Sequence, residues 1–180
     1  TSYGSCRVNV PKNHFTGKID FTDDNTSNPD LYFKILSQKQ YDFDSFQKAV
    51  SQNPNKEVLV FIHGFNVKFQ DAILRAAQLA YDLKFQGTVI LFSWPAGAED
   101  GLINNAMISK TYLKNKAMAA RSISNAIDFF DLISRLNIKT NIYIHSMGHQ
   151  VAIPALVKLS ENTDIKFLVD ELILNAPDYD

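Results

Sequence analysis

The sequence predicts an α/β protein, a mostly parallel sheet with helices packed on both faces. Three observations predict it. Val58–Ile62 (VLVFI), Thr88–Phe92 (TVILF) and Asn141–His145 (NIYIH) are short runs of β-branched and aromatic residues, the pattern of strands buried on both faces. Between them lie longer segments with apolar residues at helical spacing. The two kinds of segment alternate from Val58 onward, which is the order of β-α-β crossovers.

Each element has its own local reason. The first 57 residues are polar and turn-rich. Within them, Cys6–Val10 and Leu31–Leu36 read as early strands, and Asp23–Asp30 (DDNTSNPD) as a loop by composition. Asp42–Ser51 reads as a short helix with Phe43, Phe46 and Val50 on one face and Asp42 as its cap. After the strand Val58–Ile62, the spacing of Phe69, Ala72, Ile73, Ala76, Leu79, Ala80 and Leu83 predicts a helix that Gly87 ends as a C-terminal cap. After Thr88–Phe92 the pattern of Ala119, Ile123, Ala126, Ile127, Phe130 and Ile133 predicts a helix from about Leu113 to Arg135. His149–Leu159 follows the third strand as a helix, with Pro154 expected to kink it. Phe167–Leu174 reads as the fourth strand.

Composition bounds the function. A chain of 180 residues is one domain and buries roughly 70% of its unfolded surface. Hydrophobic residues at 46% and charged residues at 21% exclude a disordered chain. A formal charge of −1 gives no argument for nucleic acid or an anionic membrane as partner. The single cysteine, Cys6, permits no internal disulfide. No apolar run approaches the ~20 residues that span a bilayer, and no signal peptide is read. Neither a G-x-G-x-x-G nor a Walker sequence occurs. His145 and His149 stand at i and i+4, but without the glutamate of a zinc helix and with a glycine between them. No metal and no cofactor is expected.

In a parallel α/β sheet, ligands sit at the carboxyl ends of the strands. The segments just past them are His63-Gly64-Phe65-Asn66, Ser93-Trp94-Pro95, Ser146-Met147-Gly148-His149 and Asn175-Ala176-Pro177-Asp178. Ser146, between strand and helix with Gly148 two positions on, has the setting of a nucleophile on a sharp turn at a helix N-terminus. S-x-G alone is weak, since Ser2-Tyr3-Gly4 has it too. His63-Gly64 after the first buried strand is a turn that offers backbone N–H donors. The pair to look for is the N–H of Phe65 with that of Met147, facing a developing oxyanion. Trp94 and Asn66 are read as the pocket rim, although Trp94 serves equally as core packing.

FIHGFN, SWP, HSMG and APD, in this order, resemble a bacterial α/β-hydrolase family of unknown function. The resemblance runs from about Tyr3 to Asp180 and includes Asp71–Leu83 and Val8-Asn9-Val10-Pro11. It implies a three-layer α/β-hydrolase fold lacking its last strand or strands, because the family fold continues past APD. An exposed sheet edge at that end would promote self-association. It also implies a bacterial protein, cytoplasmic or exported, with a small acyl or ester substrate. In that role Ser146 is the nucleophile, Phe65 and Met147 form the oxyanion hole, and His63, Gly64, His145 and Gly148 support turn and elbow. Asp178 falls where some lipases carry the triad acid. It reads equally well as a solvated or capping aspartate, with Asp180 the weaker alternative.

This chain departs from the family pattern in three places. Ile144 replaces a small residue two before the serine, Asn115 stands where an acid tends to follow a tyrosine (here Tyr112), and Pro154 falls inside the helix. A serine hydrolase also needs a general base, normally a histidine after the acid. The four histidines are His14, His63, His145 and His149, and none follows the last strand. His14, in an N-terminal loop, is the only one with freedom to swing in. The leading expectation is therefore a serine esterase whose base lies outside these residues. A non-catalytic binding module on the same scaffold is the rival, and an acyltransferase would use the same groups.

Overall fold

The computed structural model describes residues 1–20, 28–97, 105–161 and 169–179. Residues 23–27 of the early loop, 167 and 168 of the expected last strand, and Asp180 lie outside them.

The chain opens with an antiparallel pair, β1 (Tyr3–Asn9) and β2 (Lys34–Tyr41), running from Tyr3 opposite Tyr41 to Asn9 opposite Lys34 with a register shift between Arg7 and Val8. Both strands are displaced from the predicted stretches: β1 starts before Cys6 and stops short of Val10, and β2 leaves out Leu31–Phe33 and continues past Leu36 to Tyr41. They lie at the surface, so Ser37, Gln38, Lys39 and Gln40 pair as strand residues without any apolar run to announce them. Helix α1 (Phe43–Ser51) starts where expected, with the Asp42 carboxylate accepting the Ser45 N–H at 2.8 Å.

The rest alternates strand and helix: β3 (Glu57–Ile62), α2 (Phe69–Asp82), β4 (Thr88–Phe92), α3 (Asn105–Arg135), β5 (Lys139–His145), one 3₁₀ turn (Ser146–Gly148), α4 (His149–Ser160) and β6 (Glu171–Asn175). The four strands β3 to β6 are parallel in the order β4-β3-β5-β6. That order dictates the layers. From β3 the chain crosses one way to β4, then back over β3 to β5. Two right-handed crossovers in opposite directions must place α2 and α3 on opposite faces of the sheet. The step from β5 to β6 continues in the second direction, so α4 joins α3, and the two pack together. Val58, Val60, Ile62, Ile142 and Ile144 point into the α3–α4 side with Phe130, Ile133, Val151 and Ala155. Helix α3 begins well before Leu113 because its first turns are exposed and carry no apolar stripe.

Gly87 does not cap α2. The helix ends at Asp82, and Lys84 takes the left-handed position with φ +51°. The Phe85 N–H then reaches back to Ala80 O and the Lys84 N–H to Tyr81 O, a Schellman closure built on a lysine. Gly87 is required for space instead, since a methyl group there would lie 2.3 Å from Glu57 O. Helix α4 carries on through Pro154. On β6, Leu172, Ile173 and Leu174 are exposed at the sheet edge. No helix among the described residues is long and apolar enough to cross a membrane.

Candidate active site

All four parallel strands deliver their carboxyl ends to one side, so the 63–68, 93–97, 146–148 and 176–179 segments gather there. Ser146 follows β5 directly and has φ +51°. A serine in the left-handed region is uncommon and persists only where its surroundings hold it. The turn forms although Ile144 precedes it, because that side chain points away into the core. Gly64 packs against this turn so closely that a methyl group on it would lie 2.8 Å from Ser146 Cβ and 3.0 Å from His145 Nδ1. Gly148 has an ordinary helical φ of −55° but is equally confined, a methyl there falling 2.7 Å from His63 O. The two glycines let the 63–66 turn and the serine turn touch. Among the described residues no hydrogen bond occupies the N–H of Phe65 or of Met147. The Gly148→Ala variant should therefore lose stability by about 1–3 kcal/mol, since its methyl meets main chain that cannot yield. An unchanged urea midpoint would contradict this packing.

His63 is a fixture of the turn. It is 2% exposed, and its ring stacks on Trp94 with centroids 5.5 Å apart and planes within 5°. Its Nδ1–H donates to Gly64 O at 3.1 Å, while Nε2 accepts the Trp94 N–H at 3.2 Å and lies 3.1 Å from Ser93 Oγ. The Trp94 indole N–H returns a bond to His63 O at 2.8 Å. Burial pushes the imidazole down to about pKa 4, so it is neutral at pH 7. Trp94, expected at the rim, lines the cleft described below but is only 3% exposed, because its indole N–H and ring face are both committed to His63.

The other histidines are also committed or displaced. His145 is exposed beside Gly64, and partial burial, with the Arg75 charge and His149, lowers its pKa. His149 is buried, with Nδ1 2.6 Å from Ser146 O. His14 does not swing in. Its Nε2–H binds Asp82 Oδ1 at 2.6 Å, with side chains only 4% and 9% exposed, and Phe33 and Tyr81 meet its ring edge-on. Asp82 closes α2, a 14-residue helix that starts near the site and carries its other end about 20 Å away. No hydrogen bond from any described residue reaches Ser146 Oγ.

Asp178 does come to the elbow. Its N–H points to Ser146 O at 3.4 Å, and its carboxylate accepts the Tyr112 O–H, with oxygens at 2.9 and 3.0 Å. The model of a family described as alpha/beta hydrolase of unknown function (DUF900) matches residues 38–180. The chain belongs to this family. No curated protein and no solved structure matches it.

Within this α/β-hydrolase frame, helix α3 supplies residues that sequence reading noted only as departures or not at all. Asn115 is buried. Its Oδ1 accepts the N–H of Asn66, itself at φ +54°, and its Nδ2–H₂ donates to Thr111 O at 2.9 Å and Gly97 O at 3.3 Å. An aspartate could not make those two donations. One turn earlier, Tyr112 packs on Phe65 with ring centroids 5.8 Å apart and accepts the Gln150 side chain at 3.4 Å. The signal available was the i, i+3 spacing of Tyr112 and Asn115, which puts both on one helix face. A cleft of about 1190 Å³ runs between the β1–β2 pair, α1, α2, β4 and the Ser122–Phe129 stretch of α3. Among the described residues it touches the site through Val67–Phe69 and Ser93–Gly97, and Ser146 is not in its walls.

Proposed function

We propose that this chain is a serine hydrolase acting on carboxylic esters or related acyl substrates. The observation that carries the reading is Ser146 in the left-handed conformation at a strand-to-helix turn, packed against the Gly64 turn. In this reading Ser146 Oγ attacks the acyl carbon while a base takes its proton. The carbonyl oxygen becomes negative and meets the N–H groups of Phe65 and Met147. Collapse expels the alcohol, which takes up the proton, and water repeats the sequence on the acyl-enzyme. Each oxyanion donor of this kind contributes about 3–4 kcal/mol to the barrier lowering. Asp178 is the acid, oriented by Tyr112. The base is an imidazole from outside these 180 residues, since none of the four histidines present is placed for it.

A fluorophosphonate probe applied to the protein expressed from its complete gene should label Ser146, and Ser146→Ala should abolish labelling. Labelling that persists in the variant ends this assignment. The absence of an imidazole at Ser146 Oγ favours a second reading, a binding module that uses the scaffold without turnover. A labelled wild type excludes it.

A further inference from the structure

We propose that His149 is a positioning residue for Ser146, a fixed hydrogen-bond donor that holds the serine's main chain in its raised conformation. The inference rests on reading Ser146 as the nucleophile. His149 is 1% exposed, the first residue of α4, and grips the same atom twice. Its backbone N–H is shared between Met147 O and Ser146 O, and its ring Nδ1 lies 2.6 Å from the latter oxygen. A carbonyl only accepts, so the proton sits on Nδ1. The other ring nitrogen, Nε2, is buried without a partner among the described residues. A ring with one nitrogen spent on a carbonyl and the other sealed is poorly placed to pass protons to a substrate.

What it does is restrain a rotation. Ser146 at φ +51° is in a conformation that L-residues hold only when over-determined by their surroundings. Relaxing it would swing its carbonyl away from His149 and from the Asp178 N–H at 3.4 Å. The ring bond therefore opposes the motion that would lower Oγ from the strand ends. It also links the elbow to the segment that carries the candidate acid, since both donors meet on one oxygen.

Two variants separate donor from shape. His149→Asn places an amide N–H₂ close to where Nδ1 stands, and His149→Phe keeps the ring without a donor. Fluorophosphonate labelling of Ser146 should stay near wild type in His149→Asn and slow about tenfold in His149→Phe, because Ser146 O has lost the shortest of its hydrogen bonds. Crystal structures should show Ser146 left-handed in the first and relaxed in the second. Two-bond ¹H–¹⁵N correlation spectra of the wild type should show His149 protonated at Nδ1. A proton on Nε2, or a folded His149→Phe with unchanged Ser146 φ and labelling, overturns the proposal. So does a His149→Asn that slows as much as His149→Phe, which would mean that ring volume alone matters. If His149→Phe does not fold, the tautomer and the His149→Asn structure decide. If the wild type does not label, the hydrolase reading fails, while the tautomer and the Ser146 conformation still test the role of His149.

Discussion

Turnover of simple esters by the 180-residue chain on its own should stay far below that of a complete serine hydrolase. Attack by Ser146 requires a base within about 2.6–3.2 Å of Oγ, and apo sites tolerate somewhat looser contacts. His63 is locked between Gly64 and Trp94, His14 is bound to Asp82, and His149 is spent on Ser146 O. His145 is exposed but makes no bond to Oγ. What remains on the proposed reading is the Phe65 and Met147 donors and substrate binding, worth roughly 10³–10⁴-fold over water in a comparable hydrolase stripped of its triad. Initial rates with p-nitrophenyl butyrate, with and without Ser146→Ala, measure this directly. Brisk hydrolysis that the variant eliminates would mean that one of these histidines rearranges to serve.

Acid should unfold the protein earlier than its charge implies. The His63 imidazole has its pKa lowered from 6.5 to about 4 because it is buried, so the folded state refuses a proton that the unfolded chain accepts. Its contribution is fully present above pH 6.5 and drains away as pH falls through about 4. Across that window one group accounts for about 3 kcal/mol. His145, lowered in the same direction, acts with the same sign. Urea midpoints followed by circular dichroism at pH 7, 5.5 and 4.5 should fall steadily. A flat profile over that range would contradict a buried neutral His63.

The sheet was legible because burial on both faces demands unbroken apolar runs, and Val58–Ile62, Thr88–Phe92 and Asn141–His145 have them. The Ser146 turn and the His63-Gly64 turn were legible because a strand, small residues and a helix in series leave few other geometries. β2 was underestimated because a surface strand needs backbone pairing and not hydrophobicity, and Ser37–Gln40 supply only that. The end of α2 was misplaced because φ above zero is normally glycine's, and here Lys84 adopts it. Trp94 lines the cleft, but nothing local says that a tryptophan beside a proline also turns back onto a histidine 31 residues earlier. Tyr112 and Asn115 reach Asp178 and Asn66 across long stretches of chain, which periodicity within one helix does not reveal.

The stacked pair of Trp94 and His63 has a practical consequence. The chain contains one tryptophan, so all of its indole emission originates in that pair. The protein thus carries an intrinsic optical reporter packed against the turn that bears Phe65. Acidification that charges the imidazole stacked on that indole, or an acyl compound that shifts the turn, registers as a change in intensity or wavelength when the tryptophan is excited apart from the seven tyrosines. Ligand screening and stopped-flow binding can be run on the unlabelled chain, and the signal names its own location.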